Sequence, residues 1–193
     1  MESLAKHSLE FISLLLSSGV FIFLLKWVKE WWDEREIRKC YITRPEIQEK
    51  LQFLKVEVLA SRVMVLRYHN GGRRPRTGNQ SYVSVMYEEV ADGYVPVRSQ
   101  FQNYPLDQEY DRQLSEVVRS GHFCYTSIEE LPDSGAKTTN RMFNVQAMCN
   151  VEIGFRGYDY YTLIVNFDHA EIFTEEVKEK IKLYAHQLKS LIK

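Results

Sequence analysis

Three arginines, Arg73, Arg74 and Arg76, crowd the segment after Gly71-Gly72. Guanidinium forks match phosphate oxygens in pairs, so this loop is a candidate anion or lipid-headgroup site. The plainer reading is a solvated loop. His69 and Asn70 close an apolar run, with Arg67 just before them and Tyr87 on the next run. These four are ligand-pocket candidates at the mouth of a sheet, although Asn tolerates the left-handed conformation and so often simply makes a turn. The three cysteines are Cys40, Cys124 and Cys149. Their odd number and wide spacing argue against a disulfide framework and fit a reducing compartment. A lone Cys in an apolar strand is usually a small buried hydrophobe, so a redox pair of Cys124 and Cys149 is a minor reading. The five histidines are scattered and no C-x-x-C occurs, so neither a metal nor another cofactor is expected. No Ser-His-Asp set, glycine-rich phosphate loop or spaced carboxylate pair stands out, and no catalytic residue is assigned. Tyr82, Tyr94, Phe101, Tyr104 and Tyr160 could stack a flat ligand, but residues alternating along strands mostly serve core and sheet. A net charge of -1 without a basic stripe excludes nucleic acid as an expected partner.

The elements that must position these residues follow from hydrophobic period. Thr43-Arg44-Pro45-Glu46 has capping-box form, with proline in the first turn. Ile47, Leu51, Leu54 and Val58 then repeat at helical spacing. Strands are expected over 62–68, 81–88 and 94–98, the last joined through Asp92-Gly93 and weakened by Pro96. A helix is expected from Pro105 to a stop at Gly121, then a short strand at 123–126. Residues 131–140 read as loop, with a helical turn in 141–146. Strands over 147–155 and 160–168 precede a helix capped by Thr174, with Val177, Ile181, Tyr184, Leu188 and Leu191 on one face. The fold class is α+β: an antiparallel sheet with helices on one face.

Ahead of this domain, Phe11 to Leu25 carries no charge. As a helix it spans roughly 22 Å, and flanking residues extend it toward the ~30 Å hydrocarbon core. Lys26 snorkels, and Trp27, Trp31 and Trp32 suit the interfacial belt. No small-residue cleavage site follows, so the segment reads as an uncleaved signal anchor. Basic residues gather after it (Lys26, Lys29, Arg35, Arg38, Lys39, Arg44), which puts the C-terminal side in the cytoplasm. The expected division is 1–32 transmembrane anchor and aromatic interface, 33–44 juxtamembrane linker, and 45–193 one domain. The expected place is a single-pass inner membrane protein with its C-terminal domain cytoplasmic.

Residues 45–193 resemble a GAF domain. The resemblance rests on the first strand running into Arg67-Tyr68-His69-Asn70-Gly71, on the YEEVADGYVPV ribbon, and on MCNVEIGF followed by YYTLIVNFDHAEIFTEEVKEKIKLYAHQL. The Arg-Tyr-His-Asn-Gly run is similar to membrane-anchored GAF-like proteins of phages and bacteria. It implies a sensing or dimerising module. Cyclic-nucleotide members carry Asn-Lys where this chain has Asn166-Phe167. Bilin-binding members use a cysteine thioether beside a histidine, of which Cys124 with His122 keeps a part. The free methionine sulfoxide reductases of the family work through cysteines.

The function expected from all this is non-enzymatic: a membrane-anchored GAF-like module acting in protein assembly or signalling. No effector segment follows the domain in this sequence, so its signal is expected to leave by protein contact or through the membrane helix. Expected partners are the membrane and a second copy of the chain, docked along a seam of Ile47, Leu51, Leu54, Val58, Ile181, Tyr184 and Leu188. The alternative is a small-molecule sensor with a pocket in the domain. A thiol-dependent methionine sulfoxide reductase is the third reading.

Overall fold

The computed structural model describes residues 20–71 and 82–192. The chain divides between Pro45 and Glu46 into two compact units. Helix α1 (Val20–Glu57) runs unbroken through Pro45. The expected helix start at Thr43 is therefore corrected: one missing N–H leaves a gap in the ladder that the turns on both sides bridge. Packing of the C-terminal unit begins at Ile47, 1% exposed. Among the described residues no helix is long and apolar enough to cross a membrane. The uncharged run from Phe11 lies mostly outside them.

The sheet is six-stranded and antiparallel, in the order β3-β2-β1-β6-β5-β4. Its strands are β1 (Arg62–His69), β2 (Tyr82–Val90), β3 (Tyr104–Pro105), β4 (His122–Tyr125), β5 (Ala147–Arg156) and β6 (Asp159–Phe167). The helices are α2 (Gln108–Ser120), α3 (Gly135–Met142) and α4 (Glu175–Leu191), with short 3-10 turns at Ile128–Glu130 and Ala170–Ile172. Asp107 accepts from the Tyr110 N–H to start α2, and Gly121 ends it at φ 82, a conformation natural only to glycine. Thr174 caps α4 through the Val177 N–H.

The near-continuous apolar run of β1 and β6 has a direct cause: both faces of the sheet are covered. On one face, Val63, Val65, Leu163 and Val165 pack with Leu51 and Leu54 of α1 and Ile181 and Leu188 of α4. On the other, Met64, Leu66, Tyr68 and Ile164 pack with Val117 of α2, Val97 and Val145. The expectation of helices on one face is corrected accordingly. The two period-matched helices do share a face, while Val117 of α2 is buried in the second layer.

Two further expectations change. Residues 94–98 form no strand: the Glu88 carboxylate accepts the Val97 and Arg98 N–H groups at 2.8–3.0 Å, and Pro96 has none to give. The expected loop at 131–140 contains α3, capped by Ser134 through the Lys137 N–H. Two turns between Pro132 and Phe143 are too short to establish a period.

The assembly seam is corrected as well. Ile47, Leu51, Leu54, Val58, Ile181 and Leu188 are at most 2% exposed, because they face the domain's own sheet. Tyr184 packs at the edge of that core and donates to Glu57 Oε2 at 3.0 Å. A four-three period records a buried face without saying what buries it.

Candidate functional site

The second layer leaves a cavity against the sheet. It offers about 70 Å³ to the centres of water molecules, room for roughly five such groups at ~10–15 Å³ each. Its floor is built by register. Arg62 of β1 stands directly opposite Asn166 of β6. Asn166 pairs with Met148 of β5, and Asn150 lies two residues further along that strand. All four line the cavity, with Met64, Leu66 and Ile164 beside them. Tyr110 and Gln113 of α2, Thr139 and Asn140 of α3, and Phe143 close the opposite side, while Val97 and Phe101 come from the segment between β2 and β3.

The polar floor is buried and incompletely paired. Arg62, Asn150 and Asn166 are 2%, 2% and 5% exposed. Asn150 donates to the Tyr68 hydroxyl at 3.4 Å, yet its Oδ1 and that of Asn166 have no hydrogen-bond partner. An unpaired buried amide oxygen costs about 1–3 kcal/mol, so two at one cavity mark a place where a ligand gains what the protein lacks. Arg62 is better matched. Its Nε lies 3.2 Å from Glu88 Oε1, its Nη2 donates to the Val95 carbonyl at 2.9 Å, and its guanidinium stands 5.3 Å from the Phe143 ring centre. Burial pulls the Arg62 pKa below its ordinary value, and the Glu88 charge opposes that. Glu88 thus joins floor to wall: one carboxylate binds the arginine and the backbone that carries Val97.

None of the expected pocket residues lines this cavity. Arg67 lies 3.9 Å from Asp159. Tyr87 packs against the opposite core layer. Asn70 follows β1 in a bend. His69 acts at one remove. Its Nδ1 accepts the Gly71 N–H at 3.2 Å, which leaves the proton on Nε2 to donate to Ser84 Oγ at 2.9 Å. The same hydroxyl oxygen accepts the Asn103 N–H at 2.9 Å, and so fixes the end of the segment that supplies Phe101. Arg73, Arg74 and Arg76 lie outside the described residues. The signal that points to Asn150 and Asn166 is present in the sequence: each is an amide inside an otherwise apolar strand (MCNV, IVNF), where it must be buried and must seek a partner.

Cys124 and Cys149 are directly opposed across β4 and β5 and are joined as a disulfide. This overturns the expectation of unpaired thiols, which rested on separation along the chain; a 25-residue separation says nothing about strand neighbours. Cys149 is fully buried, and both cysteines belong to the layer opposite the cavity.

Comparison with solved structures places this architecture. The GAF domain of PixJ from Thermosynechococcus elongatus superposes with a TM-score of 0.59 at 16% identity, covering 80% of this chain and 89% of that one. The fold is GAF-like. A far-red cyanobacteriochrome photoreceptor gives 0.61 at 15% identity over 88% and 96% of the two chains. A type II free methionine-R-sulfoxide reductase from Thermoplasma acidophilum gives 0.55 at 12% over 80% and 94%. No protein-family model matches the sequence, and no curated protein does either. At these identities the likeness establishes the GAF-like fold alone.

Proposed function

We propose that this chain is a non-enzymatic ligand-sensing module held at a membrane, with its GAF-like domain in the cytoplasm. The observation that carries the reading is the cavity floor: two buried amides with unpaired oxygens beside a neutralised arginine. The GAF-like neighbours support it, since several are photoreceptor domains and one holds biliverdin. The space here suits a smaller molecule than a four-ring pigment. Cys124 is committed to Cys149 on the other sheet face, and among the described residues no cysteine lines the cavity for a pigment linkage.

A signal has a short route out. Strand β1 gives Arg62, Met64 and Leu66 to the cavity and Val63 and Val65 to the layer that contains α1. A shift of β1 on ligand binding is felt by the helix through packed side chains. Membrane attachment is supported by the uncharged run and by α1 itself, where Phe21, Ile22, Phe23, Leu25, Trp27, Trp31 and Trp32 are all more than 40% exposed. An exposed apolar and Trp-rich stretch of this kind calls for cover. Assembly with a second copy remains part of the proposal, through surfaces other than the buried seam.

Native mass spectrometry of the full chain after exposure to a metabolite extract tests the sensing reading. Retained mass that disappears in Asn150→Leu/Asn166→Leu is the expected result, and no retained mass refutes it. The reductase reading draws on the paired cysteines and the Thermoplasma neighbour. Loss of methionine sulfoxide reduction in Cys149→Ser, against measurable turnover in the parent chain, would favour it instead.

A further inference from the structure

From the charge balance and the unpaired groups of the cavity, and resting on the sensing reading above, we infer that its ligand is a compact, uncharged ring of the lactam or ureide class. Such a ring carries N–H donors beside a carbonyl acceptor. Three features select it. Asn150 and Asn166 each leave an amide oxygen unpaired, and an oxygen acceptor is satisfied by a donor. The complementary ligand therefore brings two N–H or O–H groups. The charge of Arg62 is already matched by Glu88, both side chains being at most 4% exposed. A further anion or cation entering the same cavity would stand uncompensated in apolar surroundings, at a cost of several kcal/mol. A neutral ring avoids this cost. Shape gives the third feature. Phe101 and Phe143 both line the cavity and meet each other edge to face, their ring centres 5.9 Å apart, so they present an aromatic wall to it. A planar ring of few atoms packs against such a wall, and a flexible chain of equal volume loses more freedom on entering.

Titration calorimetry of the full chain with uracil, 1,3-dimethyluracil and orotate tests the inference. These compounds keep one ring and change either the donors or the charge. Uracil is expected to bind. Dimethyluracil, with both N–H groups replaced, is expected to bind about tenfold more weakly or worse, because the two amide oxygens then stay unpaired in a filled cavity. Orotate, the same ring with a carboxylate, is expected to lose at least about as much. In Asn150→Leu/Asn166→Leu the preference for uracil over dimethyluracil should vanish, with circular dichroism confirming an intact sheet. Equal or tighter binding of dimethyluracil or orotate overturns the inference, as does no uracil binding at millimolar concentration. Should the extract experiment then retain a charged metabolite, the ligand class falls and the sensor stands. Should it retain nothing, both fall.

Discussion

Protonating His69 has a predictable direction. Burial, with the Arg67 charge adding to it, holds the imidazole pKa below its ordinary 6.5. The geometry gives the same sign, because a proton on Nδ1 removes the acceptor of the Gly71 N–H. The folded domain therefore resists the proton more than the unfolded chain does. Its stability contribution is complete above about pH 6.5 and is lost as pH falls from there toward the folded-state value. Thermal unfolding followed between about pH 7.5 and 5 should show a falling midpoint, and His69→Gln should flatten that slope. An unchanged slope would mean that His69 does not titrate differently in the folded state. Glu88 has a larger stake. Glu88→Gln leaves Arg62 buried without its counter-charge and weakens the hold on Val97 and Arg98. Breaking a buried pair from one side costs about 3–5 kcal/mol. Urea unfolding should register a loss of that order, whereas a loss below about 1 kcal/mol would put the pair in the class of surface bridges.

At the scale of elements, the buried seam leads to a different outcome from a partner interface. Leu51→Ala and Leu188→Ala each empty a fully buried site between helix and sheet, so each should cost about 2–5 kcal/mol of stability while leaving the sedimentation behaviour unchanged. A shift in oligomeric state without loss of stability would return these residues to an interface. The Cys124–Cys149 cross-link fastens the edge strand β4 to β5 across a 25-residue separation. In the chain-entropy account that is worth roughly 3 kcal/mol, and dithiothreitol should lower the unfolding midpoint to match. The elements themselves were largely legible in the sequence: the β1, β5 and β6 runs, the stop at Gly121 and the Thr174 cap all correspond to observed structure. What period could not supply was partnership. Ile47-Leu51-Leu54-Val58 reads alike whether a sheet or a second helix covers it. Cys124 and Cys149 meet only through β4–β5 pairing, and the cavity floor exists only once β1, β6 and β5 are in register. Tyr94–Arg98 failed as a strand because Glu88, a side chain from another element, took its hydrogen bonds.

At the scale of the whole molecule, every residue of both core layers lies at or after Ile47. The two layers sandwich one sheet, and the cavity is closed by α2, α3 and the β2–β3 segment, all within Glu46–Lys193. A domain of about 150 residues buries roughly two-thirds of its chain's surface, enough to fold alone. Among the described side chains, residues 20–45 add no member to either core, and the apolar ones from Phe21 to Trp32 are exposed. The two units should therefore separate by function. A chain beginning at Glu46 is expected to unfold cooperatively, with a midpoint within a few degrees of the full chain's, and to stay in the supernatant when phospholipid vesicles are sedimented. The full chain is expected to pellet with the same vesicles and to resist extraction by high salt, since its attachment would be hydrophobic and thus unscreened. Loss of cooperative unfolding in the shorter chain would make the N-terminal unit part of the fold. Release of the full chain by salt would replace the apolar anchor with an electrostatic one centred on the basic residues that follow it.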